Sequence, residues 1–267
     1  MGHHGYAQLT LEPIFGFALA LAIFLYIGAV FFSNKRHSPW PVQRTVLWVL
    51  GVFCAGIALV GPVANAAHGN FVYHTIGHLL LGMLAPLLLV LAAPVSLLLR
   101  TLPVYQARQL TRILRSGPVR LLSHPITAAL LNIGGLYILY RTPLYMSMQH
   151  HMWLHVLVHL HVFLAGFLFT ASIIYIDPVA HRLSFLYRSA VLIAALAAHG
   201  ILSKSLYAFP PAGIAKNEAE LGGMLMYYGG DLVDVVLIAI LCYQWYKATR
   251  RPPQPLSSSK KGEAPIG

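Results

Sequence analysis

Residues 71–92 read FVYHTIGHLLLGMLAPLLLVLA, an apolar stretch that contains no Asp, Glu, Lys or Arg. A helix needs about 20 apolar residues to cross the hydrocarbon core of a bilayer, so the stretch predicts a membrane-spanning helix. Two histidines, His74 and His78, interrupt its apolar character near the start. The same stretch therefore indicates a helical membrane protein and supplies two candidate functional residues.

The whole chain has the composition of a membrane protein. Hydrophobic residues make up 58% of the 267 residues and charged residues only 9%, against about a quarter charged in a soluble domain. We predict an all-α, polytopic membrane bundle in one domain, residues 1–250, followed by a disordered cytoplasmic tail, 251–267. The seven predicted transmembrane helices lie at about residues 14–32, 46–63, 71–92, 126–140, 151–174, 185–202 and 223–241.

The basic residues predict the orientation. Fifteen of the 18 Lys and Arg fall in the segments that alternate onto one side of such a bundle, and the positive-inside rule assigns that side to the cytoplasm. The N-terminus is then outside and the C-terminus cytoplasmic. Since the net charge of +11 is spread over several short segments, it indicates membrane lipid as a partner and no nucleic acid.

Metal-competent side chains from four predicted helices fall in one layer near the outer surface. Histidines spaced i, i+4 share a helix face, and this spacing occurs once in the third predicted helix and twice in the fifth. Single residues of the sixth and seventh helices come to a similar depth. The candidate metal ligands are His74, His78, His151, His155, His159, His199 and Asp231.

A simpler explanation exists for each histidine taken alone, namely an interhelical hydrogen bond. It is less satisfactory for the whole set, because an ionisable group such as Asp231 is costly in hydrocarbon unless a cation, a counter-charge or water accompanies it. Asp234 is expected behind the ligands, bound to neighbouring helices. His161 points away from His155 and His159, so the simpler explanation holds there.

The residue types leave several metals open. Imidazoles with one carboxylate suit zinc, copper, iron or nickel, whereas a thioether beside imidazole favours Cu(I). Methionine is also an ordinary packing residue. A possible copper relay at the outer edge is formed by Met146, Met148, Met152, Met224 and Met226.

Several segments resemble one family. The run HTIGHLLLGMLAPLLLVLAAPVSLLLRTLP at residues 74–103 is similar to the hallmark segment of the CtaG family of cytochrome c oxidase assembly factors, the multi-span type associated with caa-type oxidases. HMWLHVLVHLHVFLAGFLF at 151–169, IDP at 176–178 and GGMLMYYGGDL at 222–232 resemble later family segments in the same order. The resemblance covers about residues 60–245 and matches His74, His78, His155, His159 and Asp231 to motif positions.

The resemblance implies a non-enzymatic metallochaperone of the respiratory chain in the bacterial cytoplasmic membrane. It would bind copper on the outer side and support its delivery to the catalytic subunit of the oxidase. Two alternatives stay open on the residues alone. A seven-span bundle with histidines and an aspartate suits a zinc-dependent membrane hydrolase, and facing histidines such as His78 and His155 suit haem b.

Overall fold

The computed structural model describes residues 3–179 and 182–250, and their regular structure is helical throughout. Two π-helical segments, Leu79–Leu84 and Leu130–Gly134, interrupt the α-helices. The α-helices are α1 (His3–Arg36), α2 (Val42–Leu59), α3 (Pro62–Ala67), α4 (Phe71–His78), α5 (Ala85–Leu91), α6 (Pro94–Thr101), α7 (Val104–Leu114), α8 (Gly117–Leu122), α9 (Pro125–Ala129), α10 (Gly135–Arg141), α11 (Leu144–His150), α12 (Met152–Ile173), α13 (Phe185–Ala208) and α14 (Lys216–Thr249).

Six helices are long and apolar enough to cross a membrane, and they confirm the all-helical membrane bundle. Many of their outward side chains are large and apolar, with Phe24, Leu186 and Leu232 each more than 70% exposed, as lipid-facing residues would be. Within the described part of the chain, the six are Glu12–Arg36, Val42–Leu59, Phe71–Leu91, Met152–Ile173, Phe185–Ala208 and Lys216–Thr249.

The predicted fourth crossing at 126–140 is helical but broken. It consists of α9, the π-helical segment Leu130–Gly134 and α10, of 5, 5 and 7 residues, and it is not among the six long apolar helices. The count of seven spans and the orientation of the termini therefore stay predictions. The predicted disordered tail, 251–267, lies outside the described residues.

The helix Phe71–Leu91 lies at the centre of the bundle, because 61% of the residues in its most apolar stretch are buried. Pro86 has no N–H to donate to the carbonyl of Gly82, and the helix there widens into π geometry, with the Ala85 N–H bonded to Leu80 O. α12 crosses at this point because Gly166 has no side chain: a Cβ there would overlap the Gly82 carbonyl oxygen. The Ala-Pro pair thus shapes the contact between the two helices that carry most of the candidate histidines.

The segment Ile-Asp-Pro, residues 176–178, lies beyond the C-terminal end of α12 and contacts the start of α6, near the segment Ala-Pro-Val at residues 93–95. Asp177 accepts hydrogen bonds from the backbone N–H groups of Val95 and Ser96, at 3.1 and 2.7 Å, and from the Ser96 hydroxyl at 2.6 Å. These N–H groups belong to the first turn of α6, which has no intrahelical acceptors for them. The carboxylate therefore caps α6 and has a structural role.

Candidate metal centre

A cavity at one end of the bundle is lined by imidazoles and is called the rim cavity below. His155 and His159, one turn apart on α12, line it with His68 from the turn after α3 and with Met152 and Glu12. The rings of His155 and His159 stack with centroids 4.1 Å apart, and those of His68 and His155 with centroids 4.6 Å apart. Three imidazoles thus form one continuous stack beside a thioether.

The hydrogen bonds of this stack leave lone pairs available. His159 Nδ1 lies 2.9 Å from the His155 carbonyl oxygen; since that oxygen only accepts, Nδ1 donates and the lone pair is on Nε2. His155 Nδ1 is buried without a partner among the described residues. Burial lowers the pKa of His68, so its ring is neutral at neutral pH. The rim cavity therefore offers neutral imidazoles, the form that binds metal.

His74 lies between the rim cavity and a second cavity, which is lined by His78 and is described in the next paragraph. It lines a small connecting cavity together with His78 and His159, and its ring centroid is 6.3 Å from that of His159. His74 Nε2 is hydrogen-bonded to the Tyr140 hydroxyl at 3.1 Å. This bond satisfies a buried nitrogen without a metal, so the simpler explanation fits His74.

A second group of polar side chains lies further along the same helices, in what we call the deep cavity. His78, His199 from α13 and Asp234 from α14 line it, and they are only 6%, 4% and 7% exposed. Gly230 allows the His199 ring to approach α14, because a Cβ at Gly230 would lie 2.7 Å from His199 Cε1. Both nitrogens of His78 and Nε2 of His199 are buried without a hydrogen-bond partner among the described residues.

The predicted ligands thus separate into two groups instead of one layer. His155 and His159 line the rim cavity, whereas His78 and His199 line the deep cavity. His151 is an exposed residue that precedes α12. Within residues 3–179 and 182–250, no three His, Cys, Asp or Glu side chains are arranged to hold a metal ion as they stand.

Of the two aspartates of α14, the one expected among the ligands faces outward and the other faces inward. Asp231, the expected ligand, is exposed, while Asp234, expected behind the ligands, lines the deep cavity. Three residues correspond to about 300° around a helix, so the two carboxylates lie only about 60° apart. The packing of α14 against α13 decides which of them faces inward.

The five methionines of the proposed relay do not form one path. Met148 and Met226 are 1% exposed and belong to a core cluster with Phe71, against which Met146 packs. Met224 is 40% exposed. Only Met152 lines a cavity with histidines, so packing accounts for most of this set.

Sequence reasoning missed two residues that the structure adds. His68 follows α3 in a turn, where no helical spacing links it to His74. Met83 lies in the π-helical segment and lines the deep cavity. In the sequence, His68 could have been found from its place two residues before Asn70, because Asn70 is a typical N-cap residue for the helix that carries His74 and His78. The Asn70 side chain accepts hydrogen bonds from the N–H groups of Val72 and Tyr73.

Comparison with known proteins gives one family. The model of the family described as cytochrome c oxidase caa3 assembly factor (Caa3_CtaG) matches residues 24–248. The matched region contains every side chain of the rim and deep cavities named above except Glu12. No solved structure gives a significant match to the chain.

The similar curated proteins are mycobacterial and uncharacterized. One from Mycobacterium bovis and one from Mycobacterium tuberculosis are each 32% identical over 241 residues, which cover 82% of this chain and 36% of the relative. One from Mycobacterium leprae is 31% identical over 258 residues, covering 87% of this chain and 39% of the relative. The chain thus spans little more than a third of the length of these relatives.

Proposed function

We propose that this chain, which belongs to the family of cytochrome c oxidase caa3 assembly factors, binds Cu(I) in the rim cavity and supports its delivery to the catalytic subunit of the oxidase. The observation that carries the proposal is the stack of His68, His155 and His159 beside the Met152 thioether. Imidazole and thioether together favour Cu(I) over harder ions. No chemical transformation of a substrate is required, so the protein is not an enzyme in this proposal.

The hydrogen bonding of the stack supports a ligand role. A metal-binding histidine normally donates its second ring N–H to a carbonyl or carboxylate, which fixes the tautomer. His159 does this through Nδ1 to the His155 carbonyl. The stacked rings do not yet surround one point, so His155 and His159 turn about their side-chain torsions when the ion binds. The half-buried Glu12, which lines the same cavity, adds negative charge that attracts a cation.

The orientation proposed for this function puts the rim cavity on the outer side of the bacterial cytoplasmic membrane. The basic residues support it, because in the sequence 15 of the 18 Lys and Arg fall in the segments that this orientation assigns to the cytoplasm. The broken helical segment 125–141 then completes seven crossings, with the N-terminus outside and the C-terminus cytoplasmic. The oxidase subunits would dock at the outer rim.

The proposal is tested in cells that depend on the protein for their oxidase. His155→Ala with His159→Ala removes two of the three stacked rings, and we expect oxidase activity and the copper content of the oxidase to fall to the level of a deletion strain. The matched control is His150→Ala, which removes an exposed histidine next to the same helix. Membrane fractionation shows that each variant inserts. Normal oxidase copper in the inserted double variant would mean that the stack is only structural.

A further inference from the structure

The deep cavity contains a set of ligand groups that the rim cavity does not use. His78 from α4 and His199 from α13 face it, with ring centroids 6.2 Å apart and planes inclined by 35°. Met83 and Asp234 line the same cavity. Two imidazoles, one thioether and one carboxylate thus line one cavity, and they come from three helices, namely Phe71–Leu91, α13 and α14.

The unpartnered nitrogens of this cavity point to a bound group. His78 Nδ1, His78 Nε2 and His199 Nε2 are buried and have no hydrogen-bond partner in the described ranges 3–179 and 182–250. Buried polar groups in native proteins are almost always paired with protein, water or an ion. His74 shows the contrast, because its buried Nε2 is paired with Tyr140. The deep histidines therefore differ from a histidine that serves packing alone.

The distance between the two rings is suitable for one ion between them. With each nitrogen about 2 Å from the metal, two imidazoles on one ion have ring centroids about 5 Å apart at a tetrahedral angle and about 6.5 Å apart in a linear arrangement. The observed 6.2 Å lies near the linear end of this range. Two imidazoles at this spacing with a thioether lining the same cavity suit Cu(I), which prefers few and soft ligands.

Charge favours a monovalent ion. A net charge taken out of water into an apolar interior costs several kcal/mol, and the deep cavity is otherwise lined by groups such as Leu87, Phe169 and Leu237. Cu(I) with the ionised Asp234 carboxylate has no net charge, whereas Zn²⁺ with the same carboxylate keeps one positive charge. The set of side chains therefore favours Cu(I) over Zn²⁺.

The deep cavity also adjoins the rim cavity through shared side chains. The connecting cavity is lined by His159, which also lines the rim cavity, and by His78, which also lines the deep cavity. Both π-helical segments of the described chain border the deep cavity, through Met83 and Asn132. π-Helical turns within α-helices are frequent at functional sites.

We infer that His78 and His199, with Met83 and Asp234, form a second Cu(I) site, which receives its ion from the rim cavity past His159. The inference rests on the proposed function for the identity of the ion. It makes the protein a two-site carrier in which the rim site binds copper first and the deep site holds it inside the bundle.

The test is the number of Cu(I) ions bound by the full chain in detergent, measured by competition with a chromogenic Cu(I) chelator under anaerobic conditions. We expect two ions for the wild type and one for His78→Gln with His199→Gln. The control His37→Gln with His150→Gln replaces two exposed histidines and should keep both ions. Circular dichroism shows whether each variant keeps its helices.

A second measurement examines the deep site by itself. In His155→Gln with His159→Gln only the deep ion remains, and X-ray absorption at the copper edge should show imidazole nitrogens with one sulfur, which Met83→Leu removes. Two ions in the His78, His199 variant, one ion in the wild type, or tight zinc that Cu(I) does not displace would each overturn the second site. A different result would refute the proposed function, namely that the His155, His159 variant binds as many ions as the wild type.

Discussion

Replacing His78 by Leu should make the metal-free protein more stable. Both ring nitrogens of His78 are buried without a partner among the described residues, and each such group costs about 1–3 kcal/mol. Leu has a similar volume and no polar atoms, so the substitution removes both costs. Some of the gain is lost to tighter packing, because Gly82 lies close to the ring: a Cβ there would be 3.2 Å from His78 Nδ1. We expect a net gain of about 2 kcal/mol in the free energy of unfolding.

The assay is unfolding of the full chain in mixed micelles with an increasing fraction of SDS, in the presence of a copper chelator, followed by circular dichroism. Repeating the assay with Cu(I) measures how much the ion stabilises the fold. This stabilisation is about 2.7 kcal/mol per site when the free Cu(I) concentration is one hundred times the dissociation constant. His78→Leu should lose the part of this stabilisation that the deep site contributes. If His78→Leu is more stable than the wild type without metal and gains less stability from Cu(I), His78 is a ligand of the ion.

His74→Leu is the matched control, on the same helix one turn earlier. His74 is paired with Tyr140, so its removal leaves a buried hydroxyl without a partner and should cost about 1–3 kcal/mol. The two substitutions are chemically identical and are expected to have opposite signs. If metal-free His78→Leu is destabilised like His74→Leu, the nitrogens of His78 are hydrogen-bonded to water or protein in the metal-free state, and the reasoning for the deep site is wrong.

Three further predictions follow from close contacts in the bundle. Gly166→Ala should destabilise the fold by about 1–3 kcal/mol, because the Cβ would overlap the Gly82 carbonyl. Gly16→Ala, in the interior of α1 with no atom within 4 Å, should instead raise stability by about 0.5–1 kcal/mol in the same unfolding assay. Gly230→Ala should displace the His199 ring and weaken the deep Cu(I) ion at least tenfold; unchanged affinity in the chelator competition would contradict this. Asp177→Asn weakens the cap of α6 and should lower stability by about 1 kcal/mol without changing the number of Cu(I) ions.

The sequence predicts the helices well because their signal is local. Each of the six long helices overlaps a predicted apolar run, since length and hydropathy alone decide whether a segment can cross a bilayer. The fourth predicted helix is less regular because a π-helical segment, Leu130–Gly134, interrupts it. Such a segment depends on how neighbouring helices pack, which an apolar run does not encode.

The candidate site is predicted less completely because it depends on which helices are neighbours. The i, i+4 spacing correctly places His155 and His159 on one face, but it cannot say that His78 faces His199 instead. Asp231 and Asp234 are both acceptable from the sequence, and only the packing of α14 distinguishes the exposed residue from the buried one. His68 lies in a turn, where periodicity has no meaning.

The metal and haem content of the purified full chain tests the central claim most directly. Elemental analysis and absorption spectroscopy of protein from copper-replete cells distinguish copper from the zinc and haem alternatives. We predict copper as Cu(I), without visible absorption, and one ion fewer per chain in the variant that lacks His155 and His159. A Soret band with stoichiometric iron, or tightly bound zinc in place of copper, would contradict the copper-carrier account.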